Sequence, residues 1–595
     1  MSELKTDDFD PFMTAILSNR IDGIIREMSN TLLRAARSSV ISGARDFSCS
    51  ICTGDNQLLA SAEGLPVHIF SSHMQTQTMV NYHGSDLKEG DCYLHNDPYS
   101  GNSHPGDWAF LAPVFIEGEH LFTVVAKAHQ ADIGNAQPST YMPTAKDVYE
   151  EGALLFPAVR IQRDYKMIED IVRLCRLRIR VPDQWYGDFL AGIGSARIGE
   201  RRLKELCAKY GKDRIKAFIR DWFDYSEQRM IQAIRKFPKK TLHAESAHDP
   251  LAGILPEPVP FKLRIDLDPD NAMIEADLRD NPDQIETGFN MSIACSTAAT
   301  FAGIFNAIGN EVPRNSGSFR RLTIHLREGS VFNPKFPASC SLATTNFSDR
   351  LINMAQSAFA DLGDGFGLAE GGVGTGAGVG VVAGRDGRAD NEPYVTQLIS
   401  CAAGGPGSPS ADGWMNYIVP AGAGMLYRDS VEVLEVKVPL QIGYTRLLPG
   451  TAGAGRYRGS PAVEIAYGPR GLPMEARWAC DGTLFPSKGV LGGRDGVLSQ
   501  HWKVSANGLE EELPNIVMVE LQKGEYVRGH GCAGGGYGDP RERDPARVLR
   551  DVLEGYETLE RARDVYAVAF TGSIEDESLA VDTERTAELR QKVPA

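Results

Sequence analysis

HNDPYSGNSHPGDWAF, residues 95–110, gathers two histidines, two carboxylates, two prolines and two glycines into sixteen positions. Gly101 and Gly106 open backbone conformations closed to bulkier residues, and Pro98 and Pro105 stiffen the path between them. A rigid loop can hold polar side chains near a required geometry. The loop ends on Asp107, where an apolar run begins. A second apolar run, LFTVVAKAH, ends on His129, where a strand would deliver it to a sheet edge. His104 and Asp107 are three residues apart, and Asp46 precedes another strand-like run, GARDFSCSI. Two imidazoles and two carboxylates arriving from strand ends suit a divalent metal, and mixed N/O donors fit Zn, Mn or Fe(II). An open coordination position would acidify a bound water to a pKa of about 7. Asp97 and Asp132 are then candidates for general base or for fixing an imidazole tautomer. His68 and His73 either line the same cavity or sit on a strand, and His95 is a further neighbour.

Around this loop the 595-residue chain reads as mixed α/β. Residues 9–40 have helical spacing, with Ile21, Ile25, Met28, Leu32 and Ala35 on one face and Asp10-Pro11 as the start signal. From 43 to 130 the pattern turns to short β-type runs. Residues 185–240 read as a helical hairpin broken at Gly211. From about 255 the chain is β-rich, with a turn at DPDN and helices over 288–312 and 348–362. Residues 363–387 are glycine-dense but lack a Walker A pattern, which points to close backbone packing rather than a phosphate cradle. The terminal GDPRERDPARVLRDVLEG carries Asp544 as cap, Pro545 as first helical residue and Gly555 as stop. Four segments follow: a metal-site region with a long first helix and mixed sheet (1–180), the hairpin (181–245), a central α/β region with the glycine-rich segment (246–430), and a β-rich region ending in helices (431–595).

The net charge of -16 disfavours nucleic acid and anionic membranes, which want a basic face. No run of about 18 apolar residues suggests a membrane span. The acidic N-terminus is unlike a signal peptide, and ten cysteines without a dense framework fit a reducing compartment, so a cytoplasmic location is expected. Cys49 and Cys52 have redox spacing but no second pair, and read as small core residues on a strand.

The stretches HNDPYSGNSHPGDWAFLAPVF, AKAHQADIGN, RAARSSVISGARDFS, GDFLAGIGSARIGERRLKEL, NEVPRNSGSFRRLTIHLREGSVFNP and GGGYGDPRERDPARV together resemble the hydantoinase B/oxoprolinase family, over about 10–570. That family includes B subunits of ATP-dependent hydantoinases and caprolactamases, the C-terminal half of 5-oxoprolinase, and subunits of acetone and acetophenone carboxylases. The resemblance implies metal ligands at Asp46, His104, Asp107 and His129, and leaves His95 outside that set. It implies a hydantoinase A-type ATPase partner binding ATP and Mg, in a dimer of heterodimers, with this chain hydrolysing a cyclic amide that the partner has phosphorylated. The alternative it implies is a subunit of a ketone carboxylase; a third is a support subunit that has lost its metal. Asn102 and Asn135 stand where the family often has glycine.

Overall fold

The computed structural model describes residues 10–61, 64–401, 403–422 and 426–592. The fold is mixed α/β. Two compact units are discontinuous in sequence: one holds 1–241, 264–302 and 308–343, the other 242–263, 303–307 and 344–595. They cut across the four linear segments, because the chain passes between the units more than once.

The first unit is built on a seven-stranded antiparallel sheet: β1 Phe47–Thr53, β2 Leu58–Ser61, β3 Cys92–His95, β4 Asp107–Ile116, β5 Glu119–His129, β6 Val159–Arg163 and β7 Lys166–Met167. Their order is β2-β1-β5-β4-β3-β6-β7. Successive residues of a strand point to opposite faces. One face carries Cys49, Trp108, Phe110, Val124 and Ala126 into an apolar core. The helices Pro11–Ala35 and Pro182–Tyr210 cover it. Asp10 caps the first of these, its carboxylate accepting from Met13 N at 3.0 Å, with Pro11 in the first turn. Leu17, Ile21, Ile25, Met28 and Leu32 form its buried stripe, while Ala35, expected on the same face, is exposed because the helix ends there. Gly192 and Gly199 let the second helix lie close on the sheet. A Cβ on them would sit 2.3 Å from the Phe110 ring and 2.7 Å from Val124. The chain turns at Gly211, at φ +85°, into the helix Lys212–Ile234, completing the hairpin.

The opposite face of the sheet carries Ser48, His95, Asp107, Lys127 and His129, all buried. Register aligns them in rows. Asp107 lies opposite His129. In the next row His95, Ala109, Lys127 and Ser48 lie side by side across β3, β4, β5 and β1. Cys49 and Cys52 lie on β1, and all ten cysteines are buried thiols outside any disulfide.

The second unit contains two antiparallel sheets around a core that includes Met474, Trp478, Ile465 and Val527. Its glycine-dense stretch packs backbone on backbone: a Cβ on Gly378 would come within 1.9 Å of the Cys401 carbonyl oxygen. The helix Pro545–Leu553 starts at Asp544, whose carboxylate accepts from Ala546 N at 2.9 Å, and Gly555 follows it at φ +73°. Among the described residues no helix is long and apolar enough to cross a membrane.

Candidate metal centre

Antiparallel pairing of β4 with β5 puts Asp107 and His129 side by side at one end of the sheet. The loop before β4 brings His104 to them. Asn102 ties that loop: its side-chain amide reaches the carbonyls of His104 at 2.6 Å and Asp107 at 2.9 Å, and its Oδ1 accepts from Gln75 Nε2 at 2.6 Å. His104 Nε2 lies 3.0 Å and His129 Nδ1 3.1 Å from the same oxygen, Asp107 Oδ1. One donor atom from each of His104, Asp107 and His129 lies within 4.8 Å of the others. The two imidazoles stack at 5.1 Å between centroids, with the Tyr141 ring stacked 6.0 Å from His104 and 5.4 Å from His129.

His68 joins the group from the short helix Pro66–Ile69. Its Nε2 is 3.0 Å from Asp107 Oδ2 and 3.9 Å from Asp46 Oδ1. Asp46 sits just before β1, its backbone carbonyl accepting from His129 N at 3.0 Å. Its side-chain Oδ1 is buried with no hydrogen bond among the described residues. Asp46 is also the most accessible of the five, at 7% exposure against 0–2% for the others.

The donor set fits a divalent cation. His104 Nδ1 faces the Ser341 carbonyl at 2.8 Å, which can only accept, so Nδ1 carries a proton. Its Nε2 faces a carboxylate. An imidazole between two acceptors calls for positive charge, either a second proton or a metal at Nε2. Burial alone would lower the His104 pKa, but the Asp107 carboxylate and the Ser341 carbonyl raise it. His129 Nε2 meets Thr140 Oγ1 at 3.0 Å, which leaves Nδ1 turned to the group. Burial opposes ionisation of Asp107, yet His104 and His68 hold its pKa well below the ordinary carboxylate range. Burial, reinforced by Asp107, pushes Asp46 up to about 8. Gly106 leaves the space between the rings open: a Cβ there would be 2.6 Å from His104 Cε1 and 2.7 Å from His129 Cε1.

The model of hydantoinase B/oxoprolinase matches residues 10–540. The chain belongs to the hydantoinase B/oxoprolinase family. Within it, the chain is 28% identical to "Caprolactamase subunit beta" of Pseudomonas jessenii over 97% of this chain and 99% of that one. It is similar to the crystal structure of the ATP-dependent caprolactamase from Pseudomonas jessenii, with TM-score 0.88, 26% identity, and coverage of 98% of this chain and 100% of that one. An acetone carboxylase structure in its nucleotide-free form matches with TM-score 0.85 at 16% identity, covering 98% of this chain and 82% of that one. At that identity the likeness is one of fold.

Other residues singled out in this hydantoinase B/oxoprolinase chain have different partners. Asp97 caps the turn Pro98–Ser100, accepting from Tyr99 N at 3.0 Å and Ser100 Oγ at 2.5 Å. Asp132 accepts from Gly134 N at 3.1 Å and from Arg180 N at 2.6 Å, and pairs with the Arg180 guanidinium at 3.2 Å. Both carboxylates hold loops, and neither hydrogen-bonds to His104, Asp107 or His129. Asn135 likewise ties its own loop, Nδ2 donating to the Ser139 carbonyl at 2.7 Å. His73 has its Nδ1 buried without a partner among the described residues.

Sequence reasoning passed over the bond of His68 to Asp107 and the whole of Lys127. Lys127 is fully buried, and its Nζ has no hydrogen-bond partner among the described residues. Burial lowers it to about 8, against the pull of Asp107 and Asp46. The available signal was parity, since Lys127 stands two residues from His129 on one strand and so shares its face.

Proposed function

We propose that this chain is the metal-bearing B-type subunit of an ATP-dependent cyclic-amide hydrolase, acting on a hydantoin, lactam or 5-oxoproline type ring. The observation that carries this reading is the buried convergence of His104, Asp107 and His129 in a chain similar end to end to a caprolactamase β subunit. His104, Asp107 and His129 would hold the ion, with Asp46 as the fourth ligand. A divalent ion held there supplies Lewis-acid polarisation and an acidified water. The Ser341 carbonyl and the Thr140 hydroxyl orient the two imidazoles, as hydrogen-bond partners of ligating histidines do. Ser103 Oγ, 2.5 Å from Asp107 Oδ2, fixes the carboxylate. Asp46 Oδ1, buried and without a hydrogen bond among the described residues, is free to turn to the ion. A base role for Asp97 or Asp132 requires breaking the bonds that now hold their loops. Near-complete burial keeps bulk water from a labile phosphorylated amide.

Amide activation belongs to a partner, a hydantoinase A-type ATPase subunit, in a dimer of heterodimers. The test is ring opening by wild type and His104→Ala, each combined with that partner and ATP, on caprolactam, hydantoin and 5-oxoproline, with metal content measured alongside. ATP-dependent ring opening by metal-loaded wild type, lost with the metal in the variant, is expected. Turnover of ketone and bicarbonate instead of any ring would replace this reading with the carboxylase one. Wild type that takes up neither Zn nor Mn would leave a support subunit.

A further inference from the structure

The row of the sheet next to the candidate ligands holds two buried hydrogen-bond donors without an acceptor among the described residues. His95 and Lys127 both lie opposite Ala109 in register, one on each side of it, on the face that carries Asp107 and His129. His95 Nδ1 accepts from Ala158 N at 3.0 Å. A neutral imidazole that accepts at Nδ1 carries its proton at Nε2. That Nε2 is buried and has no partner among the described residues. Burial pulls the ring down to about 3, so it stays in this neutral tautomer. The Lys127 ammonium is equally buried and equally unpartnered. A methyl group, that of Ala109, is all that β4 places between them.

Orphaned buried donors cost free energy, a charged one more than a neutral one. Two in one row on one face of the sheet suit a ligand that supplies the acceptor. We propose that Lys127 and His95 form an anion-binding subsite beside the candidate metal centre, which takes the phosphoryl group of the activated substrate.

The charge agrees. The Lys127 side chain brings a cationic group to the row beside the candidate ligands, and His95 adds a neutral N–H. A neutral ring gains nothing from that charge, whereas a phosphorylated amide carries the complementary one. The row spacing matches the size of such a molecule: the subsite is two residues along the strand from the ligands, about 7 Å at 3.4 Å per residue. The assignment of the anion as phosphoryl rests on the hydrolase reading above; the anion site itself does not.

The experiment is equilibrium dialysis of radiolabelled inorganic phosphate against the full-length, Zn-loaded chain, with metal content and thermal unfolding measured on every variant. Wild type is expected to bind phosphate saturably. Lys127→Met, which removes the charge and keeps the length, should weaken binding at least tenfold with metal content unchanged. Lys127→Arg should stay within a few-fold of wild type. His95→Gln provides a second probe should Lys127→Met fail to fold, with a several-fold loss expected. Equal phosphate binding by wild type, Lys127→Met and His95→Gln, or none by wild type, overturns the subsite. So does a Lys127→Met whose only defect is lost metal, since Lys127 would then merely balance Asp46 and Asp107. Lysine-dependent phosphate binding in a chain that opens no ring with its ATPase partner would keep the subsite and defeat the hydrolase reading.

Discussion

Two buried polar clusters, one in each unit, are made of similar residues and are finished differently. In the second unit Arg350 and Asp481 are both fully buried and paired at 2.6 Å. Asp481 also accepts from Asp249 N at 3.1 Å and Gly482 N at 2.8 Å. Asp249 accepts from Thr483 N, Thr483 Oγ1, Leu484 N and Phe485 N. Both carboxylates there are matched by backbone donors, a hydroxyl or an arginine, and the cluster holds chain segments in place; among the described residues Arg350 Nη1 is left without a partner. Around His104 the arithmetic does not close. Asp107 faces three imidazoles, His104 lies between two acceptors, and Asp46 Oδ1, His95 Nε2 and Lys127 Nζ have no partner among the described residues. Burial and charge alone do not distinguish a structural cluster from a working one; the number of unmatched atoms separates these two.

The largest effect should come from breaking the cluster of the second unit. Asp481→Ala strands the Arg350 guanidinium and is expected to cost about 3–5 kcal/mol in chemical denaturation, leaving metal content per folded chain unchanged. If metal content falls with it, the two clusters are not independent. In the cluster around His104 the same measurements should reverse. Gly106→Ala pushes a methyl against both rings, and its metal affinity should fall by about 10–100-fold in a competition titration with a chelator. Thr140→Val removes the partner of His129 Nε2 and should lose about tenfold by the same titration.

A separate difference is in the sign of the pH dependence. Asp46 has a folded pKa of about 8, above its ordinary 3.8. The proton-bound form is therefore favoured by folding. Its contribution is fully present below the unfolded pKa and is lost as pH rises through the folded one. Metal-free wild type should thus lose stability between pH 4 and about 8, and Asp46→Asn should remove that slope. Asp481 has its pKa lowered despite burial, chiefly by Arg350, so its contribution has the opposite sign and disappears on acidification. A metal-free wild type with no slope relative to Asp46→Asn would place the Asp46 carboxyl outside the buried group.

What the sequence disclosed follows the range of each interaction. Asp10-Pro11 and Asp544-Pro545 were legible because a cap acts within one turn. His104, Asp107 and His129 were legible because a loop entering one strand and the end of its antiparallel neighbour must meet. His68 was ambiguous because it reaches Asp107 only once the turn Pro66–Ile69 packs against β1. Asp97 and Asp132 looked like free carboxylates because nothing near Asp132 in sequence announces Arg180, 48 residues away. Lys127 drew no notice inside the run LFTVVAKAH. Only the register with Ala109 shows it to share a row with His95.

The bond from His104 Nδ1 to the Ser341 carbonyl spans 237 residues of chain. It has a consequence for how the protein is made. The loop and both strands that carry the three candidate ligands leave the ribosome early, but the carbonyl that sets the His104 tautomer follows roughly 10–50 s later, at about 5–20 residues per second. Through that interval the nascent chain has the donor atoms without the group that orients one of them. Metal acquired then would be held by an imidazole free to rotate and would exchange readily with competing ions. Any selection of an ion by the candidate ligands would therefore fall late in synthesis, once the segment bearing Ser341 has docked.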